Sequence, residues 1–85
     1  MQSFSYTITD PNGIHARPAG IFVQKMQEFK SSITVSREGQ TADGKKLLAL
    51  MKLRPKCGQT ITVTVEGEDE VLAAEAALES LKANL

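Results

Sequence analysis

The chain has 85 residues, 41% hydrophobic, 24% charged and 5% aromatic, and its ten Lys and Arg balance its ten Asp and Glu to a formal net charge of +0. That length bounds it to one domain, residues 1–85, with a modest core and no room for a deep substrate cavity. Balanced charge and scarce aromatics supply neither the field nor the stacking platforms of a nucleic-acid binder, and the composition is that of a folding chain.

The opening MQSFSYTITD has no positive n-region and no apolar h-region, and no apolar run approaches the roughly 18 residues of a membrane span. The expectation is a complete, unprocessed cytoplasmic protein with no membrane insertion. Phe4, Tyr6 and Ile8 alternate with Ser and Thr, which predicts a strand with one dry and one wet face. Pro11-Asn12-Gly13 is turn chemistry, and a helix must begin within a residue or two of His15 because Pro18 is tolerated only in a first turn. Ala19, Phe22, Val23, Met26 and Phe29 then fall on one helical face.

Ile33 and Val35 alternate as a second strand, and GQTAD after Glu38 reads as the return arm of a hairpin. KKLLALMKL is a short helix stopped by Arg54-Pro55 and Gly58. Its Leu47, Leu48, Leu50, Met51 and Leu53 surround nearly the whole helix, so either it is buried deeply or part of it is a docking patch with Met as an adaptable contact. Ile61, Val63 and Val65 form the last strand. Val71, Ala74, Leu78, Leu81 and Leu85 mark the expected buried face of a final helix, with Glu68, Asp69 and Glu70 at its start and Lys82 near its end. The order βαββαβα is that of a two-layer α/β (α+β) sandwich with a mostly antiparallel sheet. The lone Cys57 has no partner for a disulfide and no second Cys or His for a zinc site; neither a metal nor a cofactor is expected.

The chemistry concentrates at the first helix start. His15, the sole histidine, sits at or beside the N-cap, where the first helical amides lack intrahelical acceptors and carry the positive end of the helix dipole. Pro18 has no N–H, so the amides of Ala16 and Arg17 remain for an anion. The Arg17 guanidinium adds a planar fork suited to a phosphoryl group. This positive setting favours a neutral, nucleophilic imidazole near pH 7, as phosphoryl transfer to nitrogen requires. These residues alone also leave open a surface or capping histidine without chemistry. They name neither donor nor acceptor.

GIHARPA at residues 13–19, with FVQKMQEFKSSITV, ADGKKLLALM and ITVTVEGEDE, resembles the HPr family, the histidine phosphocarriers of the bacterial phosphoenolpyruvate-dependent sugar phosphotransferase system. The resemblance implies an open-faced sandwich, its four-stranded antiparallel sheet covered on one face by three helices. It implies a monomer that is a stoichiometric carrier rather than an enzyme. His15 would be phosphorylated on Nδ1 by phospho-enzyme I and would pass the group to a histidine of a sugar-specific enzyme IIA. Ala16, Arg17 and Asn12 would hold the phosphate, Pro18 would open the helix, and Ala16, Gly20, Leu47, Leu48 and Met51 would form the docking surface for both partners. Two positions depart from the family. Lys46 stands where many members carry a regulatory serine, and Gly20 where Ala is usual. An HPr-like paralogue serving a regulatory or dihydroxyacetone-kinase chain, and a small non-catalytic regulatory binding domain, are the alternatives.

Overall fold

The computed structural model describes residues 1–11, 16–53 and 55–84. The expected element order is observed: β1 (Gln2–Thr7), α1 (Ala16–Met26), β2 (Ser32–Arg37), β3 (Gln40–Asp43), α2 (Leu47–Leu53), β4 (Thr60–Glu66) and α3 (Glu70–Asn84). The strands form one sheet in the order β1-β4-β2-β3, with every neighbouring pair antiparallel. Alternation fixes the register: Ile33 lies opposite Val65 and Val35 opposite Val63, while Phe4 and Tyr6 meet Val63 and Ile61 from the other side. The Ile and Val side chains are buried beneath the helices, Phe4 and Tyr6 are half-buried beside them, and Ser and Thr take the open face. Ile8 lies one residue past β1 yet is buried, its amide donating to the Gln59 carbonyl (2.9 Å) and its carbonyl accepting from Gly58 (2.8 Å).

The β2–β3 hairpin closes in two residues, since Arg37 pairs with Gln40. Glu38 (φ 50°) and Gly39 (φ 83°) are both left-handed, the mirror-image turn whose twist matches that of the flanking strands. In α1 the expected face is buried, but the helix stops at Met26, and half-buried Phe29 lies in the turn beyond it.

The face expected for α3 is corrected. Val71 is 54% exposed, and the fully buried positions are Ala73, Ala77 and Leu81, one every turn. Ala74 and Leu78 are half-buried beside that seam, and Leu85 lies outside the described residues. Small side chains at Ala73 and Ala77 let α3 approach its neighbours, among which α1 and β4 pack against it. The start of α3 is tied to the α1–β2 turn by the Asp69 carboxylate. It accepts from the hydroxyl and amide of buried Ser31 and from the amide of Lys30, the latter two at 2.9 Å. The Ser31 hydroxyl, followed by the Lys30 amide, lowers the Asp69 pKa. Gly67 (φ 150°) crosses so close to this tie that a Cβ there would lie 2.6 Å from the Ser31 Cα.

Candidate functional site

α1 begins at Ala16, so the expected helix start is in place. Arg17 is exposed in its first turn, Pro18 is buried in the same turn, and Ala19 is fully buried behind them. The turn therefore anchors itself on Pro18 and Ala19 while presenting Arg17 to solvent. No acidic residue lies in the first turn of α1, in contrast to α3, which starts on Glu70. The positive end of the α1 dipole thus stands beside a guanidinium without an opposing carboxylate on its own helix. His15 and Asn12 lie outside the described residues, as does the side chain of Ala16.

α2 packs beside α1, and its apolar belt divides. Leu50 and Leu53 are buried, Met51 is half-buried, and Leu47 and Leu48 are 38% and 78% exposed. A short helix on a sheet buries one side, so the excess apolar residues end in water, as the pattern of the segment required. Gly20 is half-buried, and a Cβ built on it would have nothing within 4 Å. The fold itself does not require glycine at that position.

Two long-range clamps hold α2, and sequence reasoning missed both. At its start the Lys45 ammonium donates to the Phe29 carbonyl (2.6 Å), and the Gln27 side-chain amide donates to the Lys45 carbonyl (2.9 Å). At its end the Arg37 guanidinium donates through Nε (3.1 Å) and Nη2 (2.7 Å) to the Leu53 carbonyl, satisfying an acceptor the helix leaves open. Nothing at the level of spacing links residues 16 apart on different elements. Lys46 occupies the N-cap position: its carbonyl accepts from Leu50 (3.1 Å), its amide donates to the Asp43 carbonyl (3.1 Å), and its side chain is exposed. Asp43 Oδ1 accepts from the Lys45 amide (2.9 Å), an Asx turn that shapes the approach to α2. The exposed Cys57 thiol points to the Thr9 carbonyl (3.7 Å), joining the loop before β4 to the segment that leads toward residue 15.

Among the described residues, no group of three or more His, Cys, Asp or Glu side chains is placed to hold a metal ion. Among the described residues no helix is long and apolar enough to cross a membrane. The grooves are open depressions in the surface. The arrangement can offer a cationic, dipole-assisted seat for an anion at the start of α1, flanked by an apolar surface on α2.

A family model described as PTS HPr component phosphorylation site matches residues 2–84. The phosphocarrier protein HPr of Lysinibacillus sphaericus is 46% identical over 76 residues, 89% of this chain and 86% of that one. The crystal structure of HPr-C-His from Thermoanaerobacter tengcongensis superposes with a TM-score of 0.93 at 30% identity, covering 99% of this chain and 94% of that one. A crystal structure of Crh, the Bacillus subtilis catabolite repression containing protein, is similar at a TM-score of 0.79 and 31% identity, covering 88% and 86% of the two chains; it is described as a domain-swapped dimer.

Proposed function

The chain belongs to the HPr family of phosphocarrier proteins of the phosphotransferase system, and from that premise we propose that it accepts a phosphoryl group on His15 from phospho-enzyme I and passes it to a histidine of a sugar-specific enzyme IIA. The observation that carries this reading is the family match across residues 2–84, within which GIHARPA leads into α1 with Arg17 exposed in the first turn. In the forward step, the phosphorus–nitrogen bond on enzyme I breaks as a bond to the His15 Nδ1 forms, and the second transfer repeats this toward enzyme IIA. The transferring group carries its negative charge on its outer oxygens. The α1 amides and Arg17 lower the energy of that charge, and Asn12 and Ala16 complete the seat. No proton donor or metal from this chain enters the scheme.

Docking falls to Ala16, Gly20, Leu47, Leu48 and Met51. Exposed Leu47 and Leu48 support this role, since burying them in a partner removes apolar surface from water. In this reading the chain works as a cytoplasmic monomer and leaves each cycle unchanged, as a carrier and not a turnover catalyst. Incubation with phosphoenolpyruvate, magnesium and enzyme I is expected to add one acid-labile, alkali-stable phosphoryl group, which His15→Ala abolishes. Equal labelling of His15→Ala, or none of the native chain, would overturn the proposal. Transfer to a purified enzyme IIA, as against a dihydroxyacetone-kinase component, separates the sugar-transport role from the paralogue role.

A further inference from the structure

β1 is an edge strand, hydrogen-bonded to β4 on one side only. It pairs in unbroken register from Gln2 to Thr7 and contains no charge, proline or glycine, the devices by which exposed sheet edges are normally guarded. The opposite edge is different: β3 is four residues long, ends on Asp43 and packs against α2. Every second residue of β1 directs its N–H and C=O away from the sheet.

A second observation lies beside this edge. The α3 residues displaced from the core, Val71, Ala74 and Leu78, share a helical face with Glu75. Between that face and β1 runs an open groove of about 170 Å³ lined by Gln2, Ser3, Phe4, Ala74, Glu75 and Leu78. Phe4, Ala74 and Leu78 are half-buried there, and Val71 extends the apolar stripe into solvent. Free main-chain groups and a flanking groove for alternate side chains are the two requirements for adding a strand.

We propose that the β1–α3 edge binds an extended segment of another protein as a fifth strand, with apolar side chains at alternate positions in the groove and a Lys or Arg toward Glu75. Charge selects this occupant over a second copy of the chain. Glu75 has no ion-pair partner among the described residues, whereas Glu70 is engaged by the amino group of Met1 (2.5 Å). The β1 strand of a second copy carries no charge and would leave Glu75 unpaired, while a basic strand neutralises it. The site lies at the sheet edge away from α2, so it can be filled without covering Leu47 and Leu48.

The test uses the full isotope-labelled chain and a synthetic eight-residue peptide alternating valine with lysine and threonine. Amide spectra are expected to show shifts along Gln2–Thr7 and at Ala74, Glu75 and Leu78, none at Leu47 or Leu48, and slowed hydrogen exchange at alternate β1 amides. Glu75→Lys, an exposed substitution that leaves the core intact, is expected to weaken this peptide about fivefold and to favour a glutamate-containing counterpart. Shifts centred elsewhere, equal binding by Glu75→Lys, no saturable binding, or concentration-dependent self-association through β1 without peptide binding would each overturn the proposal.

Discussion

At the scale of single residues, Asp69 converts proton concentration into stability. Its carboxylate is held below the ordinary value by the Ser31 hydroxyl and the Lys30 amide. The native chain therefore binds this proton less readily than the unfolded chain does. The resulting stability is fully present above the unfolded pKa of about 3.9 and is lost as pH falls through the lower, native value. Urea unfolding followed from pH 6 to pH 2 is expected to show a fall in stability in that acid window, and Asp69→Asn to flatten it; an unchanged slope would show that other carboxylates govern acid unfolding. Gly20 offers a different measurement. With open space where a Cβ would go, Gly20→Ala is expected to raise stability by up to about 1 kcal/mol, read from the urea midpoint. If the same variant slows phosphorylation by enzyme I, glycine there serves a close approach by the partner; an unchanged rate marks it as neutral.

At the scale of elements, strands and the first helix were legible in the sequence because their apolar residues are large and their periods clean. β4 alternates Thr with Ile and Val, and burial alternates with it. α3 was legible as a helix but not in its rotation. Large side chains on one stripe drew the reading to Val71, while the fold places alanines at the tight contact, where size matters more than hydrophobicity. The apolar belt of α2 announced its exposure, but not what holds the helix in place, because its clamps are hydrogen bonds between distant segments. Arg37 is the clamp to test. Arg37→Met keeps much of the packing of the stem and removes both donors to the Leu53 carbonyl, so a loss of about 1–3 kcal/mol is expected in urea unfolding. Faster hydrogen exchange at the last turn of α2, with α1 unaffected, would localise the effect, and uniform acceleration would show that Arg37 serves the whole fold.

At the scale of the whole molecule, zero net charge is the sum of local clusters of each sign. Arg17, Lys45, Lys46 and Lys52 lie on α1, α2 and the approach to α2, while Glu66, Glu68, Asp69 and Glu70 gather at the end of β4 and the start of α3. Lys45 is tied to the Phe29 carbonyl, which leaves Lys46, at the N-cap of α2 and next to Leu47, as an outward cation beside the proposed docking surface. Lys46→Glu is expected to slow phosphoryl transfer from enzyme I about threefold to tenfold at low salt, with the deficit shrinking as salt is raised. An equal rate at low salt would remove Lys46 from the encounter. Residues 13–19 stand out in the sequence because a turn, an imidazole, a guanidinium and a proline are local signals, and the described part of that segment places Arg17 and Pro18 in the first turn of α1. The charge layout does not stand out in the sequence, because it depends on which elements the fold makes neighbours. The strand order β1-β4-β2-β3 also has a temporal meaning. β4, one of the two inner strands, is the last strand to be synthesised, so a nascent chain halted before Thr60 possesses the β2–β3 hairpin and nothing to join it to β1. The sheet closes only when β4 arrives, after the other three strands have been made.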